Sequence, residues 1–145
     1  MQTKAQQKLY KKKESLLSNV VFTNGCFDIL HRGHMELLKY CKSLGDHIVV
    51  GLNSDSSVKQ LKGPSRPFFT QQDRKFMLQS CMYVDEVVIF NQETPYEIIK
   101  DLKPDIIVKG GDYNKEEVVG HELAEVKIFN YINGYSTSKI IGDAK

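Results

Sequence analysis

Short runs rich in Val and Ile alternate with helical patterns along most of the chain, and this alternation limits the possible folds more than any other feature. Five such runs are predicted to be strands: residues 20–23, 48–52, 86–90, 105–108 and 126–129. Continuous apolar strands are typical of a sheet that is covered on both faces. Repeated strand–helix units favour a parallel sheet. The expected fold class is therefore α/β, with a parallel sheet of about five strands and helices on both faces, in a single domain.

Apolar residues at helical spacing predict the segments that connect the strands. Helices are expected over residues 34–43, 71–82 and 95–102, with a polar, Lys-rich helix at 4–17 and a short closing helix at 136–142. Residues 61–70 contain Gly63, Pro64 and Pro67 and are predicted to form a loop. The preceding Asn53-Ser54-Asp55 ends the second strand and is interpreted as turn and cap chemistry. We divide the chain into a basic N-terminal helix, residues 1–18, and one domain, residues 19–145.

The distribution of charge argues against a nucleic-acid partner. The chain of 145 residues has a formal charge of +2, whereas residues 1–18 alone carry five lysines and one glutamate, a net +4. The remainder is then −2, so the main body has no general basic surface. A solvated leading helix is favoured over a nucleic-acid arm.

The apolar runs and the cysteines predict the cellular compartment of the protein. No apolar run approaches the roughly 18 residues of a membrane helix, so no membrane partner is expected. Three cysteines without a CxxC pair fit a reducing compartment. A cytoplasmic location is expected.

The segments that follow the predicted strands hold groups that suit phosphate. Ligands of such sheets bind at the carboxyl ends of the strands. Glycines with cations or hydroxyl groups follow four of the five strands, in residues 23–34, 53–66, 109–112 and 133–139. Together they predict a binding site for a phosphate-rich ligand.

The sharpest element is His31-Arg32-Gly33-His34. Two histidines three residues apart at a helix start lie on one face of the helix. The free N–H groups of a helix N-terminus favour phosphate, and Gly33 allows close approach of the backbone. Two alternatives remain open from the pattern alone: a pair of surface histidines, or a metal site completed by Cys26 or Asp28.

The segment TNGCFDILHRGH, residues 23–34, resembles the signature of the cytidylyltransferase-like nucleotidyltransferase superfamily, which has a Rossmann-like fold and an HxGH motif. Six later elements are similar to the adenylyltransferase domain of bacterial ADP-heptose synthesis: LKGPSRP, the downstream Arg74, VDEVVIF, Glu93-Thr94-Pro95, PDIIVKGGDY and GYSTSKII. The resemblance covers residues 19–141. It implies that D-glycero-β-D-manno-heptose 1-phosphate reacts with ATP to give ADP-heptose and pyrophosphate, a product that feeds cell-surface polysaccharide assembly.

The resemblance also implies residue roles. The catalytic group is expected to comprise His31, His34, Lys62 and Arg74. Nucleotide binding is assigned to Thr23, Asn24, Gly25, Cys26, Phe27, Gly33, Lys109, Gly110, Gly111, Asp112, Ser136 and Thr137. Acceptor binding is assigned to Asp28 and Arg66. Mg²⁺ is expected to accompany the triphosphate, no metal site of the protein's own is expected, and a homodimer is implied.

Two alternative functions stay open. One is a cytidylyltransferase that uses CTP and glycerol 3-phosphate or a related phospho-alcohol. The other is a nucleotide-binding protein without catalytic activity. The full set of residues that are expected to stabilise the transition state argues against it.

The segment 118–126 is also shorter than the corresponding segment of the family pattern. If that segment shapes the acceptor pocket, the acceptor differs from heptose phosphate.

Overall fold

Within the residues that the computed structural model describes, 19–130 together with Lys4, five strands form one sheet. The strands are β1 (Val20–Gly25), β2 (His47–Asn53), β3 (Glu86–Phe90), β4 (Ile106–Gly110) and β5 (Glu125–Phe129). They lie in the order β3-β2-β1-β4-β5, and every neighbouring pair is parallel. The predicted parallel α/β sheet is confirmed.

Four α-helices connect the strands: α1 (Arg32–Leu44), α2 (Asp55–Lys62), α3 (Gln71–Gln79) and α4 (Tyr96–Leu102). A short 3₁₀ helix, Lys115–Glu117, precedes β5. The predicted N-terminal helix and the predicted closing helix, with Ser136 and Thr137, lie outside the described residues, apart from Lys4. No helix in the described part is long and apolar enough to cross a membrane.

The two faces of the sheet pack into two separate apolar clusters. Successive residues of β1 point to opposite faces, so Val20 and Phe22 join one cluster and Val21 joins the other. Helix α4 covers the first face with Ile98, Ile99 and Leu102. Helices α1 and α3 cover the second face with Leu37, Leu38, Cys41 and Leu78. Helices therefore lie on both faces, as predicted.

Helix α1 begins two residues before the predicted start and ends where a close contact requires glycine. His31 takes the N-cap position with an extended backbone. At the other end, a Cβ on Gly45 would lie 2.7 Å from the side chain of Val21 and 2.8 Å from the carbonyl oxygen of Asn19. The backbone of Gly45 is extended. Glycine is therefore needed here for space between α1 and β1, not for a left-handed turn.

The sequence interpretation was wrong about α2. Residues Asn53–Asp55 were expected to end a strand with turn and cap chemistry, but no helix was predicted after them, and residue 61 was expected to open a loop. Instead, the side chain of Ser54 accepts a hydrogen bond from the backbone N–H of Ser57 at 3.2 Å and caps a helix that runs to Lys62. The helix is polar and its only fully buried apolar side chain is Val58. A single apolar anchor leaves no periodic pattern to detect.

The strand order determines where the binding crevice lies. The chain passes from β1 to β2 and β3 on one side, and then returns to β4 and β5 on the other side of β1. The connections leave β1 and β4 in opposite directions, which opens a crevice beyond their carboxyl ends. Asn24 and Gly25 at the end of β1 and Lys109 and Gly110 at the end of β4 flank that crevice.

Candidate active site

A cleft of about 600 Å³ lies at the carboxyl ends of the strands. The segments after β1, β2, β3 and β4 all contribute to it. Eleven of the predicted site residues line it: Asn24, Gly25, Cys26, Phe27, Asp28, His31, His34, Lys62, Arg66, Lys109 and Gly110. The parallel sheet thus gathers groups that are up to 86 residues apart in sequence into one site.

The two histidines of the HxGH segment form a reciprocal cap at the start of α1. Their rings stack with centroids 3.8 Å apart and an interplanar angle of 26°. The Nδ1 atom of His34 accepts a hydrogen bond from the backbone N–H of His31 at 3.3 Å. Because Nδ1 acts as the acceptor, a neutral His34 carries its proton on Nε2. That N–H is the donor that His34 has left for a ligand.

The environment keeps this pair neutral. Burial, helped by the neighbouring His31, lowers the pKa of His34 to about 3. Burial also lowers the pKa of His31. An ordinary histidine changes its charge near neutral pH, whereas His34 does not. At neutral pH it is a hydrogen-bond donor without charge, and with a pKa of about 3 it is a poor general base.

A tight turn connects β1 to this pair. Phe27 has a left-handed backbone (φ 46°), which is uncommon for a residue with a side chain. Its buried ring lies against Gly25, where a Cβ would come within 3.1 Å of the ring, and its centroid lies 5.2 Å from that of His34. Burial raises the pKa of the Cys26 thiol in the same turn. The thiol therefore stays protonated, which suits packing and not nucleophilic attack.

Asp28 lines the cleft, but its carboxylate is already engaged by the protein. Its oxygens accept hydrogen bonds from Nε of Arg66 at 2.8 Å and from the backbone N–H groups of Phe68 and Phe69 at 2.9 to 3.0 Å. Burial raises the pKa of Asp28, but these hydrogen bonds outweigh it, so the pKa lies below its ordinary value. The predicted contact between Asp28 and the acceptor stays a prediction, and the structure shows a structural role beside it. Asp28 holds the segment that presents Arg66.

Arg74, which was predicted to contact the ligand, lies outside the cleft lining. Its side chain is 1% exposed. The guanidinium donates to the carbonyl oxygens of Cys26 at 2.8 Å, Asn53 at 2.7 Å and Phe69 at 3.0 Å, and it pairs with the carboxylate of Asp55 at 2.8 Å. A guanidinium so committed does not reach a triphosphate. Arg74 instead ties together the segments after β1 and β2 and the segment before α3.

Three cations do face the cleft. Lys62 is at the last position of α2, Arg66 follows in the next loop, and Lys109 extends from β4. Burial lowers the pKa of Lys109. Cations on both sides of the histidine pair suit a ligand with several phosphate groups.

Four other predicted residues lie outside the cleft lining. Thr23 is buried, and its hydroxyl donates to the carbonyl oxygen of Val108 at 2.9 Å, which ties β1 to β4. Gly33 is buried in the first turn of α1. Gly111 and Asp112 lie in the turn beyond β4, and Asp112 is exposed. The predicted ligand contacts of these four residues are not supported by their positions.

The cleft also contains residues that the sequence analysis missed: Asn53, Leu61, Glu93, Thr94, Pro95, Tyr113, Glu117, Val118 and Val119. The position of Glu93–Pro95 just beyond β3 was a usable signal, because all the carboxyl ends of a parallel sheet meet at one edge. The resemblance includes these three residues, but no site role was predicted for them, because they include no glycine or cation. Tyr113 and Val119 become part of the site only through tertiary packing.

Comparison with known proteins agrees with this geometry. A model of the cytidylyltransferase-like family matches residues 22–142. The bifunctional protein HldE of Helicobacter pylori is 52% identical over 140 residues, which are 96% of this chain and 30% of that protein. HldE of a Nitratiruptor species is 56% identical over 123 residues, 84% of this chain and 27% of that protein. The chain thus spans less than a third of the length of these curated relatives.

Solved structures share the fold. The lipopolysaccharide core biosynthesis protein of Thermoplasma volcanium superposes with a TM-score of 0.67 and 28% identity, over 82% of this chain and 99% of that one. The pantoate-beta-alanine ligase of Francisella tularensis gives a TM-score of 0.60 at 14% identity, over 88% of this chain and 66% of that one, which shows the fold alone. The expected enzyme class, a nucleotidyltransferase, is supported by these matches, and the chain belongs to the cytidylyltransferase-like family.

Proposed function

We propose that this chain transfers AMP from ATP to a sugar 1-phosphate, D-glycero-β-D-manno-heptose 1-phosphate, and releases pyrophosphate. The observation that carries the proposal is the stacked, neutral pair His31 and His34 at the start of α1, with Lys62, Arg66 and Lys109 around it. The similarity to HldE proteins and to a lipopolysaccharide core biosynthesis protein supports a sugar phosphate as acceptor.

The proposed reaction is an in-line displacement at the α-phosphorus of ATP. A phosphate oxygen of the acceptor forms the new P–O bond, and the bond to the bridging oxygen of the β-phosphate breaks as pyrophosphate leaves. A phosphate monoester has a second pKa of about 6, so its oxygen is already ionised at neutral pH. The reaction therefore needs no general base, which agrees with a histidine whose pKa is about 3.

Positioning and charge stabilisation are then what the protein contributes. In this proposal the Nε2–H of His34 donates to an oxygen of the transferring phosphoryl group. The cations Lys62, Arg66 and Lys109 balance the charge of the triphosphate and of the incoming phosphate. Asp28 and Arg74 contribute by holding the segments that bear these groups.

Magnesium fits this site as the companion of the nucleotide. The described residues bring together no group of three or more His, Cys, Asp or Glu side chains that could hold a metal ion, and the Asp28 carboxylate is occupied by hydrogen bonds. Mg²⁺ commonly takes substrate phosphates and water as ligands instead of a protein cage. When bound with ATP it would neutralise phosphate charge.

The homodimer that the resemblance implies stays a prediction, which sedimentation equilibrium would check.

The test is pyrophosphate release with ATP and CTP, each offered with heptose 1-phosphate and with glycerol 3-phosphate in the presence of Mg²⁺. Release with ATP and heptose 1-phosphate alone is the expected result. Release with CTP and glycerol 3-phosphate would assign the chain to the cytidylyltransferase alternative. No release from any pair would overturn the proposed substrates.

Helix α2 offers a matched pair of lysines for this assay. Lys62 lines the cleft, whereas Lys59, one turn earlier, is exposed and absent from the lining. We expect Lys62→Gln to raise KM about tenfold, the effect of one lost charge-assisted contact of about 1.5 kcal/mol. Lys59→Gln should leave KM unchanged. Equal effects would show a general charge effect and no specific role of Lys62.

A further inference from the structure

The two ends of the cleft differ in chemistry. Beyond β3 the lining residues include Glu93 and Thr94, a carboxylate and a hydroxyl group. Such groups suit hydrogen bonds to the hydroxyl groups of a sugar. Beyond β4 the lining includes an aromatic ring and two aliphatic side chains, those of Tyr113, Val118 and Val119, beside the carboxylate of Glu117. That end suits a flat, largely apolar group.

The ring of Tyr113 is exposed yet held in place. The residue is 44% exposed, one of the large apolar side chains that the core does not cover. Its ring lies against Gly111, where a Cβ would come within 2.8 Å of a ring carbon, and the backbone of Gly111 has a φ of +121° that side-chain-bearing residues rarely adopt. Nζ of Lys109 lies 5.1 Å from the ring centroid, within cation–π range. Glycine at position 111 thus makes room for the ring.

The backbone around Tyr113 is anchored on both sides. Before it, the N–H of Gly111 donates to the carbonyl oxygen of Phe129 at 2.9 Å. After it, the N–H of Asn114 donates to a carboxylate oxygen of Glu117 at 3.1 Å, and Val118 is buried in the core. Because the backbone that carries the ring is held before a ligand arrives, little backbone entropy is lost on binding.

We propose that Tyr113 is the platform on which the base of the nucleotide stacks. This inference rests on the proposed function, since it names how the nucleotide of that reaction is held. Stacking on an aromatic ring needs only the π-face of a base. Tyr113 therefore contributes affinity for the nucleoside end of the ligand, while the histidines and cations of the cleft hold the phosphates.

The test compares a ligand that has a base with one that lacks it. Equilibrium binding of ATP and of inorganic tripolyphosphate is measured by calorimetry on the wild-type protein and on Tyr113→Leu, which keeps apolar bulk without a π-face. We expect Tyr113→Leu to weaken ATP binding about tenfold, within the range for one base–aromatic stack. Binding of tripolyphosphate should change less than twofold. Tyr113→Phe keeps the ring and should bind ATP as the wild type does.

A second readout does not depend on affinity. The proton resonances of adenine should shift upfield on binding to the wild-type protein, through the ring current of Tyr113, and this shift should be missing in Tyr113→Leu. Equal weakening of ATP and tripolyphosphate, or unchanged ATP binding and adenine shifts, would overturn the stacking role and leave the proposed function intact. If the wild-type protein binds no ATP, the proposed function fails and the stacking role fails with it.

Discussion

The imidazole rings of His31 and His34 stack with their centroids 3.8 Å apart, and the backbone N–H of the first donates to Nδ1 of the second. The relationship sets the proton of a neutral His34 on Nε2 before any ligand binds. It also satisfies one of the N–H groups that a helix leaves without a partner at its start. One pair of side chains thus caps a helix and leaves the Nε2–H of His34 as a donor in the cleft.

His34→Gln should separate these two roles. Glutamine at the third helical position can still accept from the N-cap N–H, so α1 should keep its cap. The donor would be displaced, and we expect kcat for pyrophosphate release to fall about 10²- to 10³-fold, as for removal of one donor to a transition state. The matched control is His121→Gln, because His121 is exposed and outside the cleft lining. A kcat within twofold of wild type for His34→Gln would contradict the role of His34.

The low pKa of His34 predicts a pH dependence of stability. Its pKa is about 3 in the folded chain against an ordinary 6.5, so between these values the unfolded chain binds more protons. The free energy of unfolding must then fall as the pH falls below 6.5. In His34→Gln this contribution disappears, and the loss of stability between pH 7.5 and 5.5 should be smaller by roughly 1 kcal/mol. Urea denaturation of both proteins at the two pH values measures it. Identical losses would mean that His34 titrates normally.

Arg74→Lys tests whether Arg74 is structural. Lysine keeps the charge but cannot reproduce a planar fork that donates to several carbonyl oxygens. Each buried acceptor left without a donor costs about 1–3 kcal/mol, so we expect the free energy of unfolding to fall by about 2–4 kcal/mol. Lys75→Arg, at the next position of α3, serves as the control and should leave stability unchanged. Unchanged stability of Arg74→Lys together with a tenfold higher KM for ATP would restore the triphosphate contact.

Asp28→Asn should loosen the segment that carries Arg66. The amide would place a donor against the N–H groups of Phe68, Phe69 and Arg66, which now donate to the carboxylate. We expect the free energy of unfolding to fall by about 2–4 kcal/mol, since the half-buried guanidinium of Arg66 would lose its ionic partner and the hydrogen bonds to a buried carboxylate would be disrupted. KM for the acceptor should rise. Thermal denaturation and acceptor titration measure the two effects, with the exposed Asp46→Asn as control. If acceptor KM rises without loss of stability, Asp28 contacts the acceptor directly.

Local patterns were enough for the sheet and for the core of the site. The Val- and Ile-rich runs predicted all five strands, and the rule that ligands bind at carboxyl ends predicted where His31, Lys62 and Lys109 would meet. These features depend on residue type and on short-range order, which the sequence carries directly. Helix α2 was not predicted because Val58 is its one buried apolar residue, and one residue forms no periodic pattern.

Only the tertiary structure decided which charged residues face the cleft and which ones hold segments of the protein together. Arg66 and Arg74 are alike in sequence, but one faces the cleft and the other is enclosed by carbonyl oxygens. Asp28 likewise holds the segment before α3, because the backbone N–H groups of Phe68 and Phe69 donate to its carboxylate. The sequence by itself determined the fold class and which residues follow the carboxyl ends of the strands, because composition and spacing are local. The partners of each side chain, its burial and hence its pKa depend on segments distant in sequence, and only packing brings those together.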